Sequence, residues 1–417
     1  MYEMKTVIMA GGRGTRIEAL NSDVPKPMIP ILNKPILEHQ MEALKRQGFV
    51  EFILVIGYKG GMIRDYFGDG SKWGVSIEYI VEESPLGTAG SFYYLRDIIS
   101  EDFLLINGDI IFDVDIARFA AAHRKNKAAG GLATILTHPN SHPYDSGIIM
   151  ADSDGRVTGW LHKEDERKWY KNRVNAGIHM LSPKLLDRVV SPVKMDMDRD
   201  ILKPLIDEGG LYAYDTPEYV KDMGTPDRFY ETERELSSKA VQSRNLLNKQ
   251  RAVFLDRDGT INKYVGFLRN IDDFELIDGV AEAVRNFHEK GYLVIVITNQ
   301  PVIARGEVSL EQLEEIHNKM ETLLGNEGTY VDDIFYCPHH PDKGFEGERA
   351  EYKIECECRK PKPGLILKAA EKYNIDLSRS YMIGDGEADV RTGEAAGCMT
   401  IRLDGGKRLC DVCGLVV

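Results

Sequence analysis

Two aspartates in the second half of the chain stand where they could carry out phosphoryl chemistry. Asp256 and Asp258 lie two residues apart in the run DRDGT, directly after the apolar, strand-like run Ala252–Leu255. Of two carboxylates at the end of a strand, one can attack phosphorus while the other protonates the leaving oxygen and later activates water. A calcium loop of the EF-hand type would need glycine and glutamate at later offsets, and they are missing. The pattern therefore predicts a phosphatase with an aspartate nucleophile.

Further polar residues follow later apolar runs of the same half. Thr298 and Asn299 end the next strand-like run, where a hydroxyl and an amide can bind a phosphoryl group. Lys360 lies in the run RKPKPG, and Asp385, with Asp389 four residues later, follows another apolar run. Clustered carboxylates repel each other and have raised pKa values unless a cation lies between them.

These four motifs occur in this order over residues 251–403, and together they resemble the haloacid dehalogenase phosphatase superfamily. The resemblance implies that Asp256 is the nucleophile and Asp258 the general acid and base. It also implies that Thr298 and Asn299 bind the phosphoryl group and that Lys360 neutralises the phosphoaspartate. A magnesium ion would be held by Asp256, Asp258 and Asp385.

The cysteines are confined to the last part of the chain, and four positions there have the spacing of a zinc site. Cys337-x-His339 and Cys356-x-Cys358, separated by a loop, supply ligands of suitable softness for tetrahedral zinc. With four protein ligands and no open position, such a zinc is structural. It would hold the residues after Cys358 over the active site. Whether His339 or His340 is the ligand stays open at this point, with His339 preferred.

The zinc loop, with the runs DRDGTIN, IDDFELIDGV and CRKPKPG, narrows the resemblance. It is similar to the histidinol-phosphate and D-glycero-D-manno-heptose-1,7-bisphosphate 7-phosphatase branch, which lacks a large cap domain. In that branch Arg305 and Arg359 would bind substrate. Members read NQSGIARG, whereas this chain has Pro301-Val302 after Asn299-Gln300, so contacts there are expected to differ.

The first half begins with a glycine-rich turn after the apolar run Thr6–Met9. The turn reads Gly11-Gly12-Arg13-Gly14-Thr15-Arg16, and Lys26 follows between two prolines. Glycines after a strand let backbone N–H groups approach phosphate oxygens, and the prolines stiffen the lysine's backbone. By itself the glycine-rich sequence fits a structural tight turn as well as a phosphate-binding loop. Its glycine spacing matches neither the P-loop nor the dinucleotide-binding motif.

Over residues 4–235 this turn and later runs resemble the sugar-1-phosphate nucleotidyltransferase family. The later runs are PLGTAG from Pro85, NGD to Asp109, VNAG from Val174 and KDMGTP from Lys221. The resemblance implies Mg²⁺ at Asp109 and Asp222, and charge stabilisation by Lys26 and Arg16. Nucleotide-binding residues would be Gly11, Gly12, Gly14, Thr15, Glu82, Gly87 and Thr88. Substrate-binding residues would be Gly147, Lys163 and Asn175.

The choice of base depends on the glutamates before the Pro85 loop. Glu82 or Glu83 stands where relatives that read thymine or uracil tend to carry Gln, and a carboxylate can accept both adjacent donors of guanine. GTP is therefore predicted over UTP, dTTP, CTP and ATP. His162-Lys163 replaces the family's usual Glu-Lys, which leaves open which sugar hydroxyls are read there.

Composition and pattern predict an α/β chain of two domains, each a mainly parallel sheet flanked by helices. The resemblances imply that the first is a GT-A or Rossmann-like nucleotidyltransferase (1–236), followed by a linker helix (237–250) and a haloacid dehalogenase-like domain with the zinc loop (251–417). A net charge of −13 argues against nucleic acid as partner. The N-terminal apolar stretch is too short for a signal peptide, and no membrane span is visible, so we expect a cytoplasmic enzyme; homo-oligomerisation stays open.

The two chemistries make sense in series. Removal of the 7-phosphate from D-glycero-α-D-manno-heptose 1,7-bisphosphate would give the 1-phosphate that the first domain joins to a nucleotide, for surface polysaccharide. The α anomer rests on the resemblance alone. The alternatives are mannose-type activation fused to a histidinol-phosphate-type phosphatase, or a chain in which one domain is a sugar-nucleotide sensor or scaffold.

Overall fold

A computed structural model of the protein describes residues 4–12, 23–344 and 346–417, and the chain divides into two compact units. The first unit comprises residues 1–138, 149–160 and 175–245. The second comprises residues 139–148, 161–174 and 246–417. The boundary after residue 245 falls within the stretch predicted as linker. Two short segments that the sequence assigns to the first domain belong by their contacts to the second unit.

The described strands of the first half form one large mixed sheet and two short ribbons. The large sheet has the order β10-β9-β11-β6-β1-β4-β5, with β8 joined to β11 and β12; the ribbons are β13-β7 and β2-β3. In chain order the strands are β1 (Thr6–Ala10), β2 (Pro30–Ile31), β3 (Lys34–Pro35), β4 (Glu51–Ile56), β5 (Ser76–Val81), β6 (Phe103–Asn107), β7 (Ile110–Asp113), β8 (Ala133–His138), β9 (Ile148–Ala151), β10 (Val157–Leu161), β11 (Val174–Leu181), β12 (Leu211–Asp215) and β13 (Tyr219–Asp222).

The central strands β6, β1, β4 and β5 run parallel, and β11 joins β6 antiparallel. A π-helix spans Met197–Leu202, and a short 3₁₀ turn spans Lys26–Met28. The α-helices of this half are α1 (Ile36–Arg46), α2 (Gly60–Phe67), α3 (Phe92–Leu95), α4 (Ile116–Ala128), α5 (Pro204–Asp207), α6 (Pro226–Ser237) and α7 (Ala240–Ser243).

Both faces of the central sheet are buried, which explains its near-continuous apolar strands. In β4, Phe52, Leu54 and Ile56 belong to one hydrophobic cluster, whereas Ile53 and Val55 belong to another. Successive side chains of a strand point to opposite faces, so a strand covered on both sides is apolar throughout. The apolar run Phe52–Ile56 is therefore a buried strand, and β4 begins one residue earlier, at Glu51.

The second unit contains a five-stranded, fully parallel sheet with the order β16-β15-β14-β17-β18. In β15, alternate residues again enter two separate clusters. Its strands and α-helices are β14 (Arg251–Leu255), α8 (Val280–Glu289), β15 (Tyr292–Asn299), α9 (Leu310–Asn326), β16 (Asp333–Cys337), α10 (Gly364–Tyr373), β17 (Tyr381–Gly384), α11 (Glu387–Ala396), β18 (Met399–Arg402) and α12 (Leu409–Val412).

The stretch from Pro226 to Gln250, which includes the predicted linker helix (237–250), is polar, lacks glycine and favours one helix, but α6 is shorter. It ends at Ser237, where the hydroxyls of Ser237 and Ser238 bond to backbone carbonyls of the last turn and Lys239 adopts a left-handed φ of 62°. Phe229 and Leu236 are buried on its inner side, so it contributes more to the core than its sparse apolar pattern indicated. Within the described residues, every helix is too short or too polar to cross a bilayer.

Candidate active sites

The parallel sheet of the second unit brings its polar residues to one edge. Strand β14 ends at Leu255 and delivers Asp256, while its neighbour β17 ends at Gly384 and delivers Asp385. The chain turns sharply at Gly259, directly after Asp258. Gly259 has a φ of +85°, and a Cβ there would lie 2.2 Å from an Asp385 oxygen. Glycine is therefore required at this point of the DRDGT run.

Three carboxylates meet at this edge and share one lysine. One oxygen from each of Asp256, Asp385 and Asp389 lies within 4.8 Å of the others. The buried Lys360 Nζ lies 2.6 Å from Asp256 and 2.6 Å from Asp389. Burial raises the pKa of Asp256 to about 6 although Lys360 opposes the rise. Burial and the Asp389 carboxylate also raise the pKa of Asp385.

Asp258 lies outside that three-carboxylate group and has its own partners. Its carboxylate accepts hydrogen bonds from the buried side chains of Arg257, Asn262 and Gln300 at 2.9–3.2 Å. Asp389, rather than Asp258, supplies the third carboxylate of the group. The predicted magnesium role of the Asp258 side chain therefore stays a prediction.

The charges of this edge fit a divalent cation. Four carboxylates face two cations, Lys360 and Arg257, which leaves two negative charges. Carboxylate oxygens are the ligands that Mg²⁺ prefers, so the donor set fits the predicted ion.

Thr298 and Asn299 lie at the end of β15, as predicted, but both side chains have partners within the protein. The Asn299 amide bonds to the backbone N–H and carbonyl of Lys360, at 3.0 and 3.1 Å. The Thr298 hydroxyl accepts from Gln300 at 2.9 Å. Asn299 thus fixes the backbone of Lys360, and its role in phosphoryl binding stays a prediction.

A cavity of about 260 Å³ opens on these groups. Arg359 lines it, as do Pro301 and Val302, the positions where the chain departs from its branch. The Arg305 guanidinium lies 4.1 Å from the ring of Phe267, which also lines the cavity. Its wall is thus partly aromatic and partly basic, and it is large enough for a phosphorylated sugar.

The four predicted zinc ligands converge. The Cys358 sulfur lies 3.2 Å from the sulfurs of Cys337 and Cys356, and 3.3 Å from Nδ1 of His339. Tetrahedral zinc with bonds of about 2.3 Å to sulfur places ligand atoms roughly 3.5–3.8 Å apart, close to what is seen. His340 Nδ1 instead accepts from the Asp342 N–H, so the structure selects His339.

This cluster also supports the active site. Burial raises the pKa of the Cys337 thiol, so its ligating form needs a cation nearby. The backbone carbonyl of Cys337 accepts from Gln300, and that of His339 accepts from Arg359 at 3.1 Å. A metal here would therefore fix residues that reach both Asp258 and the cavity.

In the first unit, the two aspartates predicted to bind magnesium are brought together by the ribbon of β7 and β13. Asp222 pairs in register with Ile110, the residue after Asp109, and the Met223 N–H donates to the Asp109 carbonyl. The Lys26 Nζ lies 2.5 Å from Asp109, and Arg228 contacts both oxygens of Asp222. Two carboxylates with cations beside them suit a metal–triphosphate complex.

The predicted nucleotide loop is held against the residues before the π-helix. Gly87 has a φ of +75°, and a Cβ there would lie 2.3 Å from the Met195 carbonyl, which accepts from the Thr88 N–H. Gly11 follows strand β1 and Glu82 follows strand β5, and the two residues lie close together. A Cβ on Gly11 would be 2.9 Å from a carboxylate oxygen of Glu82. Burial raises the pKa of Glu82 to about 7.

The predicted sugar residues are distributed over both units. Asn175, in the first unit, accepts from the Gly177 N–H and donates to Asp198 at 3.3 Å. Gly147 and Lys163 lie in the two segments that pack with the second unit. Gly12 is described and has open space around it, whereas Gly14, Thr15 and Arg16 lie outside the described residues.

Several residues of these sites were not found from the sequence. Arg228 and Asp198 sit next to predicted residues, yet neither belongs to a run with an evident pattern. Arg257 occupies the variable position of its motif, and Gln300 follows Asn299 directly. For Arg257 and Gln300 the only signal is adjacency, because polar residues just after a buried strand lie close to the motif residues beside them.

Comparison with known proteins assigns each half. A nucleotidyl transferase family model matches residues 5–239, and a haloacid dehalogenase-like hydrolase model matches residues 203–397. The D-glycero-β-D-manno-heptose-1,7-bisphosphate 7-phosphatase of Yersinia pestis is 45% identical over 145 residues, which cover 35% of this chain and 75% of that protein. The protein of the same name from Haemophilus ducreyi is 44% identical over 152 residues, covering 36% and 81%.

A solved structure assigned as a glucose-1-phosphate thymidylyltransferase from Bacillus anthracis also superposes. Its TM-score is 0.50 at 21% identity, over 55% of this chain and 94% of the other. At that identity the likeness concerns the fold alone.

Proposed function

Because the chain belongs to the nucleotidyl transferase family and to the haloacid dehalogenase-like hydrolases, it is a bifunctional enzyme, and we propose that it makes a nucleotide-activated heptose in two steps. The predicted fusion and the predicted α/β fold of both halves are thereby confirmed. In the proposed order, the second half removes the 7-phosphate of a heptose 1,7-bisphosphate. The first half then joins the heptose 1-phosphate to a nucleotide and releases pyrophosphate.

The separate surroundings of Asp256 and Asp258 carry the phosphatase proposal. Asp256, beside Lys360, attacks phosphorus, and the lysine offsets negative charge on the phosphorylated aspartate. Asp258, held by other donors, gives its proton to the leaving sugar oxygen and then accepts one from the attacking water. Bound Mg²⁺, held by the three-carboxylate group, would supply charge neutralisation at the phosphoryl oxygens.

The Lys26–Asp109 pair carries the transferase proposal. An oxygen of the sugar 1-phosphate attacks the α-phosphorus of the nucleoside triphosphate, and pyrophosphate leaves without a covalent enzyme intermediate. Lys26 is 9% exposed and fixed at the site, so it can stabilise the developing charge without reorganising. Asp109 and Asp222 would hold Mg²⁺ at the phosphates, where it offsets their charge.

GTP is the triphosphate that we propose. Glu82 Oε1 is buried and has no hydrogen-bond partner among the described residues, so it is an acceptor awaiting a donor. Guanine presents two adjacent donors that a carboxylate can accept, whereas uracil and thymine present one donor between two carbonyls.

The sugar is proposed to be D-glycero-D-manno-heptose, since the Yersinia pestis and Haemophilus ducreyi relatives carry the heptose bisphosphate in their names. Those names specify the β anomer, whereas the α anomer proposed here rests on the family resemblance of the first half and on no single residue. We further propose a cytoplasmic location, a structural zinc at the Cys337 cluster and a functional boundary within residues 237–250.

Two variants test the pairing of activities. Asp256→Asn is expected to abolish phosphate release and to leave pyrophosphate release from heptose 1-phosphate and GTP unchanged, while Asp109→Asn does the reverse. Both α and β heptose 1,7-bisphosphates, histidinol phosphate, and a panel of triphosphates with heptose, mannose and glucose 1-phosphates are the substrates. Preference for histidinol phosphate, or loss of both activities in each folded variant, would contradict the proposal.

A further inference from the structure

Arg257, the middle residue of the DRDGT run, is charged yet fully buried. Its relative exposure is 0%, and it is the largest completely buried side chain among the described residues. A guanidinium stays protonated under all ordinary conditions, and burying a charge is costly unless it is paired and hydrogen-bonded. Its partners therefore decide what it does.

Those partners are the proposed acid and base on one side and a histidine on the other. Arg257 Nε and Nη2 contact Asp258 Oδ1 at 3.2 and 3.0 Å, and Nη2 contacts Oδ2 at 2.9 Å. On the other side Nη1 lies 3.2 Å from Nε2 of His317 in α9. Arginine has no acceptor, so His317 Nε2 must accept, with the ring proton on Nδ1.

His317 is suited to remain this neutral acceptor. It is 6% exposed, and burial, with the Arg257 charge, holds its pKa well below the usual range. The imidazole is thus fixed in one tautomer by the arginine, and the arginine is fixed on a helix that is not part of the catalytic edge.

We propose that Arg257 and His317 form a positioning pair that holds the Asp258 carboxyl group at the leaving oxygen of the phosphate ester. This proposal rests on the phosphatase activity and deepens it. The side-chain amides of Gln300 and Asn262 also donate to the Asp258 carboxylate, at 2.9 and 3.0 Å. Lys360 instead contacts Asp256, the proposed nucleophile. Asp258 lines the cavity, so the held group faces the substrate.

The first step shows why the position matters. The bond from Asp256 to phosphorus forms, the bond from phosphorus to the sugar oxygen breaks, and the proton of Asp258 goes to that oxygen. A sugar alkoxide is a poor leaving group and needs this proton, whereas p-nitrophenolate leaves without it. Misplacing Asp258 should therefore slow sugar phosphates far more than p-nitrophenyl phosphate.

The test compares kcat/KM for these two substrates, since this parameter reports steps up to departure of the leaving group. Arg257→Lys keeps the positive charge but removes the planar guanidinium group, whose several N–H donors hold Asp258 and reach His317. It is expected to lower kcat/KM about 30-fold or more for heptose bisphosphate and less than about 3-fold for p-nitrophenyl phosphate, within the range of general acid catalysis. Arg285→Lys, an exposed arginine of α8, is the matched control and should change neither.

A second pair of variants guards against misfolding of Arg257→Lys. His317→Gln retains an acceptor for Arg257 and is expected to keep the wild-type ratio of the two kcat/KM values, whereas His317→Leu removes the acceptor and should shift the ratio as Arg257→Lys does. Equal losses on both substrates in folded variants, or an unchanged ratio in His317→Leu, would overturn the proposal and leave the pair a structural one.

Discussion

The ion pair between Arg173 and Glu321 is buried inside the second unit, and its loss should destabilise that unit strongly. Their side chains are 4% and 3% exposed, and Arg173 Nη1 lies 3.2 Å from Glu321 Oε2. At 3.2 Å and an effective dielectric constant of about 20, their attraction is about 5 kcal/mol. Breaking a buried pair by removing one partner costs about 3–5 kcal/mol, because an uncompensated charge remains.

Arg173→Met is the perturbation, since it keeps the apolar stem and removes the charge. For a unit of this size about 1 kcal/mol corresponds to roughly 2–4 °C, so we expect its thermal transition to fall by about 6–20 °C. Calorimetry measures the shift, and loss of phosphatase activity on heating identifies which transition belongs to this unit. Arg391→Met is the matched control: Arg391 and Glu387 are 65% and 56% exposed, and such pairs contribute below about 1 kcal/mol.

A double variant separates the charge from the packing. Arg173→Met combined with Glu321→Leu removes both charges and should recover part of the loss. About 1–3 kcal/mol would remain, because the Asn172 N–H, which donates to Glu321 at 2.7 Å, then lacks this acceptor. A shift for Arg173→Met no larger than that for Arg391→Met, or no recovery in the double variant, would refute the reasoning.

Three further predictions concern the base site, the metal loop and the segments. Burial raises the pKa of Glu82 to about 7, so the carboxyl group is protonated below that pH and the KM for GTP should rise as the pH falls from about 8 to about 6. Glu82→Gln should flatten this pH dependence, and a parallel rise of KM in the variant would argue against the contact. Cys358→Ser should lower the zinc content by one ion per chain in metal analysis and lower phosphatase activity, while pyrophosphate release with Mg²⁺ present persists. Unchanged zinc content would contradict the site. A chain beginning at Leu246 lacks residues 139–148 and 161–174, so its α9 amides should exchange hydrogen faster than in the full chain; equal protection would show that these segments do not stabilise the helix.

The sequence was most informative where function demands a residue type at a fixed place on a strand. The carboxyl ends of parallel strands meet at one edge, so apolar runs followed by Asp256, Thr298 and Asp385 could be placed together before any coordinates. The four zinc ligands were predictable because thiol and imidazole ligands at these spacings have few other uses. Only the choice of His339 over His340 needed the structure, since it depends on the loop's path.

Other features depend on packing that no local pattern encodes. Residues 161–174 carry no signal of which unit they pack in, yet the Tyr170 N–H donates to Thr322 of α9 at 2.9 Å and Arg173 reaches Glu321 of the same helix. The end of α6 at Ser237 is set by competing serine hydroxyl bonds and by Lys239, against a sequence with good helix formers. Arg257 looks like a spacer between two aspartates until its burial is known.

The different roles proposed for Asp256 and Asp258 follow from the cations beside them, since the two side chains are identical. Asp256 faces a single ammonium, Lys360, which is shared with Asp389, and it lines the cavity. Asp258 accepts hydrogen bonds from the planar guanidinium of Arg257 and from the side-chain amides of Asn262 and Gln300. These directional donors fix its orientation more tightly than a single ammonium could. The turn at Gly259 allows both arrangements, because any side chain there would occupy the place of Asp385. In the proposed mechanism this short run supplies the nucleophile and the oriented acid, and Gly259 leaves the space that Asp385 occupies.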